Sequence, residues 1–78
     1  MIRQLDNAKE TDVAPLNEKY HTAIPVLLKE EVVVRAFIQA RDMFLFTNRR
    51  ILLIDTKGIT GQRVEYKSVP WRYVDVYE

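Results

Sequence analysis

Residues 41–68 read RDMFLFTNRRILLIDTKGITGQRVEYKS and decide the fold. Two short apolar runs, 43–46 and 51–54, flank a four-residue polar turn of the length that joins hairpin strands. Two glycines then break the chain before residues 63–68, where apolar and polar residues alternate strictly, as in a β-strand. The stretch therefore predicts an antiparallel meander.

The central hairpin of this meander is apolar on both faces. Phe44 and Phe46 point to one face, and Met43 and Leu45 point to the other. We expect both faces to be covered, one inside a barrel or sandwich and the other by an N-terminal helix or another molecule. Phe44 or Phe46, whichever lies inside, is expected to be a main source of stability.

Further strands are predicted on both sides of the hairpin. We expect residues 32–41 to form a strand. Its predicted core-facing residues are Val32, Val34, Ala36, Ile38 and Ala40. The strand at 63–68 is expected to bury Val64 and Tyr66, and Pro70 to interrupt it because proline cannot donate to a central ladder. A last strand is expected over residues 72–78.

The N-terminal region predicts one short helix. Residues 1–12 are polar and mixed in charge, so we expect them to be frayed or loosely helical. Asp12 is a candidate N-cap, Pro15 fits the first turn, and Pro25 ends the helix. The residues that share its apolar side are Leu16, Tyr20 and Ala23. The expected fold class is α+β, mainly β.

Composition indicates a single small domain over residues 1–78. The hydrophobic fraction of 47% argues against disorder, and the absence of cysteine excludes disulfides and thiolate sites. A net charge of +1 provides no electrostatic case for nucleic acid or an anionic membrane. The sequence has no signal-peptide pattern and no run of about 20 apolar residues, so we expect a cytoplasmic protein without a membrane span.

No group of residues in the sequence indicates catalysis, a metal or a cofactor. His21 is the single histidine and is interpreted as a solvent-facing or capping residue. Glu30 and Glu31 are adjacent, which points their carboxylates to opposite faces of a strand, and they are interpreted as a solvated lead-in. Gly58 and Gly61 could cradle a phosphate, but a turn or bulge that needs positive φ explains both. We therefore expect a protein that is not an enzyme.

Two sets of residues are candidates for binding. Aromatic residues on an unpaired terminal strand suit protein contacts by strand addition. That set is Trp71, Tyr73, Val74, Val76 and Tyr77. A second set consists of arginines that, together with the ring of Trp71, combine cations with a stacking surface and would suit nucleic acid. Its members are Arg49, Arg50, Arg63 and Arg72. The near-neutral charge and the interleaved acidic residues count against nucleic acid.

The order of several motifs resembles the bacterial pleckstrin-homology-like (PH-like) domains. The matching motifs are Arg-Asp at 41–42, Phe-Thr-Asn-Arg-Arg at 46–50, Gly-Ile-Thr-Gly at 58–61 and Val-Glu-Tyr at 64–66. The resemblance covers residues 26–77 and implies a strongly bent antiparallel barrel closed by a C-terminal helix. It also implies oligomeric rings and no known catalytic residues. Because the family continues past the equivalent of Tyr77, we expect an incomplete barrel here.

We interpret the chain as a non-catalytic protein-interaction or assembly module. It is expected to form a homo-oligomer, or to bind a protein partner, through its terminal edge strand. Two alternatives stay open. One is a small inhibitor of the phage or mobile-element type that occupies a host protein, and the other is a nucleic-acid-binding module that uses the turn at Arg49 and Arg50. Steep salt dependence of DNA or RNA binding would indicate the nucleic-acid module.

Overall fold

The computed structural model describes residues 8–58 and 61–73. This part of the chain forms one five-stranded antiparallel sheet in the order β1-β2-β3-β4-β5, so each strand pairs with its neighbours in sequence. The strands are β1 (Lys9–Thr11), β2 (Val33–Gln39), β3 (Asp42–Thr47), β4 (Arg50–Lys57) and β5 (Arg63–Pro70). Within these residues the sheet is an open meander, mainly β, which confirms the predicted fold class.

A short helical segment connects β1 to β2. The helix α1 (Ala14–Glu18) continues into a π-helical turn (Lys19–Ala23), and a 3-10 turn (Trp71–Tyr73) follows β5 at the other end of the sheet. Leu16 and Tyr20 are four residues apart, so they share one side of the segment, and both are buried. The segment is too short to be stable alone, and this buried side holds it on the sheet.

The ends of the helical segment differ in part from the predicted ones. The N-cap residue of α1 is Val13 rather than Asp12, while Pro15 lies in the first turn as expected. The segment ends before Pro25, as predicted. Ala23 is exposed, contrary to the prediction, because the wider winding of the π-helical turn rotates it away from the buried side.

The helical segment and the loop after it pack on one face of the sheet, which we call the inner face. The residues of the resulting core are Leu16, Tyr20, Leu27, Val33, Ala36, Leu45, Leu52 and Ile54. Leu45 and Leu52 lie directly opposite each other on β3 and β4, and neither has more than 2% of its surface exposed. The hairpin predicted to lie in the core therefore supplies its centre. The opposite side of the sheet is the outer face.

Asn17 fixes the helix to the start of β2. Its Oδ1 accepts a hydrogen bond from the backbone N–H of Val33 at 2.8 Å, and its Nδ2 donates to the carbonyl of the same residue at 3.1 Å. The same Nδ2 also donates to the carbonyl of Val13, at the N-cap of α1. One amide side chain thus satisfies both backbone groups of a β2 residue and a helix-end carbonyl, which sets how the helix lies on the sheet.

A β-bulge in β2 reverses the predicted facing at the start of that strand. Val33 pairs with Thr47 while Arg35 pairs with Phe46, so β2 advances two residues for one residue of β3. The bulge turns Val33 inward and leaves Val34 57% exposed. Of the residues predicted to face the core, Ala36 is buried as expected. The others, Val32, Val34, Ile38 and Ala40, are exposed.

The N-terminal strand β1 differs from the expectation of a frayed or loosely helical segment. Residues 9–11 pair with β2, with Glu10 opposite Phe37 and an ion pair of 2.8 Å between Glu10 and Arg35. Three polar residues carry no strand pattern of their own, so pairing with β2 is what makes them a strand. Residues 1–7 lie outside the described part of the chain.

The last described strand is exposed along its whole length. Val64 and Tyr66, which we expected to be buried, each retain 42% of their surface because β5 lies at the edge of the sheet. Pro70 ends this edge strand, where a missing N–H is tolerated. The strand expected from residue 72 does not begin there, since the chain forms the 3-10 turn instead. Residues 74–78 lie outside the described part.

Candidate functional site

The free side of β5 is the main candidate for a binding surface, and we call it the β5 edge. The strand pairs with β4 from Lys57 opposite Arg63 to Arg50 opposite Pro70, and no described strand pairs with its other side. An edge strand presents a row of backbone N–H and C=O groups that can pair with another chain. All eight of its residues are exposed, and no described strand occupies that row.

Apolar side chains of β5 extend the inner face beyond the area that the helix covers. Tyr66 lies directly opposite Ile54, which is a buried core residue, yet Tyr66 itself is exposed. Val64, two residues away on the same face, is exposed to the same extent. The core face therefore continues to the edge of the sheet as an uncovered apolar strip.

The outer face of β5 carries alternating charges. Glu65 stands directly opposite Asp55 of β4, which is an unfavourable pair of like charges. Two diagonal ion pairs offset it: Lys57 lies 3.4 Å from Glu65, and Lys67 lies 3.5 Å from Asp55. The side chains of Glu65 and Lys67 remain more than half exposed, so each can accept a second ionic partner.

The outer face of the central strands carries an aromatic cluster. The ring centroids of Phe37 and Phe46 lie 5.4 Å apart in an edge-to-face arrangement, and those of Phe46 and Trp71 lie 5.9 Å apart. The indole Nε1 of Trp71 donates to the carbonyl of Thr47 at 2.7 Å, so the predicted binding residue Trp71 is held by the β3–β4 turn. Phe46 and Phe44 are half-buried on this face, while the helix occupies the inner one.

A buried ion pair lies where the loop before β2 meets the β3–β4 turn. Glu31 has no exposed surface, and Arg50 donates to its carboxylate through Nε at 2.8 Å and Nη2 at 2.9 Å. Thr47 donates its hydroxyl to the same carboxylate at 2.7 Å, and the backbone N–H of Leu28 donates at 3.1 Å. Arg50 also donates through Nη2 to the carbonyl of Val26 and through Nη1 to the hydroxyl of Ser68.

This cluster corrects the interpretation of Glu31 and supports one of the two interpretations of His21. Glu31 is a buried anchor and not part of a solvated lead-in, because its carboxylate accepts four hydrogen bonds. Its neighbour Glu30 is exposed, as predicted. The ring nitrogens of His21 lie 2.5 Å from the carbonyl of Asn17 and 2.6 Å from that of Glu31. His21 is therefore a half-buried capping residue, which agrees with one of the two interpretations given to it.

The Glu31 carboxylate gives the fold a dependence on pH. Burial raises the pKa of Glu31, but hydrogen bonds from Arg50, Thr47 and the Leu28 N–H to the ionised form outweigh burial, and the pKa lies below its ordinary value of 4.5. A carboxyl whose pKa is lowered on folding stabilises the folded state above its unfolded pKa. That stabilisation is lost as pH falls through the folded pKa.

We therefore predict that the stability difference between the native protein and Glu31→Gln shrinks as pH falls below about 4.5. The reason is that the native carboxyl then becomes protonated and loses the advantage of its charge. Urea melts at a series of pH values measure the difference. Glu30→Gln is the matched control and should stay close to the native protein throughout. A difference for Glu31→Gln that does not change with pH would contradict the account.

The arginines proposed for nucleic acid are not gathered on one surface. Arg50 is bound to Glu31, and Arg49 is exposed in the adjacent turn, 4.0 Å from Glu30. Arg63 begins β5 and lies opposite Lys57, which places it at the far end of the strand from Arg50, about 24 Å away at 3.4 Å per residue. Arg72 belongs to the 3-10 turn.

The turn between β4 and β5 has the backbone that its glycines predict. Gly58 and Gly61 have φ of 89° and 70°, and the N–H of Gly61 donates to the carbonyl of Gly58. Arg41, from the β2–β3 turn, donates to that carbonyl and to the carbonyl of Thr56. The positive-φ interpretation is confirmed. The guanidinium of Arg41 therefore lies against backbone carbonyl groups of this turn.

Comparison with known proteins identifies the family. The sequence profile of the bacterial PH domain family matches residues 1–78. The chain belongs to the bacterial PH domain family. Its structure is similar to that of a DUF1696 family protein with a pleckstrin-homology domain from Shewanella loihica PV-4, with a TM-score of 0.78, 37% identity, and coverage of 91% of this chain and 58% of that one.

Two further proteins are similar to this chain. A pleckstrin homology domain from Shewanella amazonensis SB2B has a TM-score of 0.69 and 37% identity over 86% of this chain and 52% of that one. The uncharacterized protein YjqA of Bacillus subtilis strain 168 is 36% identical over 70 residues, which are 90% of this chain and 54% of that protein. The chain thus spans between 52% and 58% of the length of these relatives.

The described part of this bacterial PH chain has two further properties that bear on function. None of the helices in residues 8–58 and 61–73 is long and apolar enough to cross a bilayer. In the same residues, no group of three or more His, Asp or Glu side chains is placed to hold a metal ion. Of the predicted protein-binding residues, Trp71 and the backbone of Tyr73 are described. Val74, Val76 and Tyr77 lie outside the described part.

Proposed function

We propose that this bacterial PH domain is a non-catalytic assembly module that joins a second copy of itself through the β5 edge. The observation that carries the proposal is the exposed edge strand, whose inner face continues the hydrophobic core through Val64 and Tyr66. Addition of a strand satisfies the edge backbone groups and places side chains of the added strand beside the apolar strip in one step. Both effects favour association.

The composition of β5 supports pairing rather than protection of the edge. Natural proteins discourage edge pairing with inward-pointing charges, bulges, prolines or very short strands. β5 is eight residues long, its register with β4 is uninterrupted, and its single proline is the last residue, Pro70. Its inner-face residues are uncharged, since Val64 and Tyr66 are followed by Ser68. A second copy offers exposed strand groups and apolar side chains of the same kind, so it is a suitable partner for this edge.

The non-catalytic part of the proposal rests on how the reactive side chains are used. Glu31 is held by Arg50 and Thr47, and both ring nitrogens of His21 face backbone carbonyls. A general acid or base needs a site where substrate can reach it. In the described chain, Glu31 holds the loop before β2 to the β3–β4 turn, and His21 joins the helical segment to that loop.

The residues that follow β5 are included in the proposed contact. The aromatic set predicted from the sequence begins directly after Pro70, at the end of the same edge. Its members are Trp71, Tyr73, Val74, Val76 and Tyr77. Trp71 retains 37% of its surface, and its ring packs against Phe46 on the outer face. Contacts from this set would enlarge the area that strand pairing buries.

We predict that Tyr66→Lys abolishes self-association without unfolding the monomer. A lysine on the inner face of an edge strand opposes burial of that face, and the native Tyr66 is already 42% exposed in the single chain. Light scattering at micromolar concentrations should give a multiple of the chain mass of 9.2 kDa for the native protein, and the chain mass for the variant.

The matched control for this experiment is Val34→Lys. Val34 is an exposed apolar strand residue of β2, remote from the β5 edge in the strand order, so the variant should associate as the native protein does. Thermal melts confirm that each variant is folded. A native protein that stays monomeric at all concentrations, or a Tyr66→Lys variant that associates normally, would disprove the proposed function.

A further inference from the structure

We infer that the edge of β2 is a binding site for an extended segment of another protein, and that β1 occupies this site within the chain. The segment that fits carries one carboxylate between two apolar residues and pairs antiparallel with β2 in place of β1. The site lies at the opposite end of the sheet from the β5 edge, so the inference does not rest on the proposed function.

β1 is attached to the sheet without a buried side chain. Its three residues, Lys9–Thr11, are all polar, and none of them is buried. The ion pair between Glu10 and Arg35 leaves 50% and 60% of the two side chains exposed, and exposed ion pairs contribute little to stability. A strand that buries no side chain can leave the sheet at much lower cost than unfolding of the whole chain.

The inner-face side chains of β1 match β2 poorly. Lys9 lies opposite Ile38, and Thr11 lies opposite Ala36. Ile38 retains 38% of its surface. A cleft of about 400 Å³ lies beside this pair and is lined by Lys9, Glu10, Thr11, Ile38 and Ala40. Because apolar cross-strand pairs stabilise a sheet more than lysine opposite isoleucine does, a segment with apolar residues at both positions gains more from β2 than β1 does.

On the outer face, β2 holds a carboxylate. Glu10 lies opposite Phe37, and Arg35 donates to its carboxylate through Nε at 3.0 Å and Nη2 at 2.8 Å. The same guanidinium lies over the ring of Phe37, with 5.2 Å between Cζ and the ring centroid. Two parallel hydrogen bonds from one guanidinium are the geometry by which arginine selects carboxylates. β1 therefore shows which charge the site accepts and at which position.

Asn17 sets one end of the site. Its side chain bonds both backbone groups of Val33, so a strand cannot pair there. The site is the part of β2 that follows the bulge, residues 35–39. β1 closes this edge in the free chain, so a partner must displace β1. Such competition suits a conditional contact with a different protein rather than a permanent assembly.

A short blocked peptide with the central order Thr-Val-Glu-Val-Thr tests the inference against a second peptide that has lysine in place of glutamate. In fluorescence anisotropy with the full chain, the glutamate peptide should bind on the order of tenfold more tightly, because Arg35 attracts one peptide and repels the other. In NMR spectra it should shift the amides of residues 35–39 and release those of residues 9–11. Equal affinities, or shifts at residues 63–70 instead, would overturn the inference.

Variants of β1 test whether it competes with the peptide. Glu10→Lys weakens β1 and leaves Arg35 available, so it should raise the affinity for the glutamate peptide. Lys9→Val combined with Thr11→Val strengthens β1 and should lower that affinity. Glu18→Lys makes the same change of charge at an exposed helix residue and should bind as the native chain does. Unchanged affinity in both β1 variants, or no binding even to Glu10→Lys, would show that the inference is wrong.

Amide hydrogen exchange of the native chain alone provides a readout that does not depend on the peptide. Amides of β1 should exchange by local opening, well before those of β3 and β4. Exchange of β1 only on global unfolding would show that the strand is not displaceable. Protection of β1 that rises with protein concentration would assign the edge of β2 to a second copy. Either result would overturn the inference.

Discussion

Replacing Arg50 with alanine is expected to remove about 3–5 kcal/mol of folding stability. Glu31 has no exposed surface, and the substitution deletes both guanidinium hydrogen bonds to its carboxylate. The charge then stays buried with only the Thr47 hydroxyl and the Leu28 N–H for partners. A chain of 78 residues has a total stability of roughly 4–12 kcal/mol, so the variant should be at the limit of folding. Urea melts followed by circular dichroism measure the loss.

Two controls separate the buried pair from a general effect of lost charge. Arg49→Ala removes the neighbouring, exposed arginine and should change stability by less than about 0.5 kcal/mol. The double variant Glu31→Leu, Arg50→Met removes both charges and should be more stable than Arg50→Ala, because no unpaired carboxylate is left behind. Equal stabilities of Arg50→Ala and Arg49→Ala would show that the ion pair does not hold the loop to the turn.

The second large effect is expected at the centre of the core. Leu45→Ala should cost about 2–5 kcal/mol, since Leu45 has no exposed surface and lies between Ala36 and Leu52 in the sheet register. The neighbouring Phe44→Ala is the matched control. Its ring lies half-buried on the outer face, so its loss should be smaller despite the larger side chain. A greater loss at Phe44 than at Leu45 would mean that the outer face is the true core.

The meander could be predicted from sequence, but which face of its central hairpin lies in the core could not. Apolar runs, a polar turn and two glycines specify antiparallel strands whatever covers them. Whether Phe46 or Leu45 faces the core depends on where the helix lies, because the residues on both faces of the hairpin are apolar. The helix lies on the side of Leu45 and leaves Phe44 and Phe46 outside. The expectation that one of these phenylalanines lies in the core was therefore wrong.

Two backbone features of β2 and its following turn also could not be predicted from sequence patterns. Three consecutive valines contain no alternation, so nothing marks the bulge that turns Val33 inward and Val34 outward. The turn that ends the strand places Ala40 at a φ of 55°, where glycine or asparagine is the usual residue. Tertiary pairing with β3 overrides the local preference at both places.

The candidate site was predictable only in part. An exposed edge strand with aromatic residues was expected, yet it was placed at residues 72–78, and the edge that the structure describes is β5. The buried role of Glu31 was missed because Glu30 and Glu31 are identical neighbours. The available signal was Thr47 and Arg50 flanking the turn, which are suitable partners for a buried carboxylate.

Amide hydrogen exchange as a function of protein concentration shows whether copies of the chain meet at the β5 edge. Amides of β5 that point away from β4 have no partner strand in the described chain, so they should exchange rapidly in dilute solution. We predict that protection within residues 63–70 rises with concentration in parallel with self-association, while the opposite edge, β1, does not change. Self-association without added protection in β5, or with added protection in β1, would show that the β5 edge is not the contact.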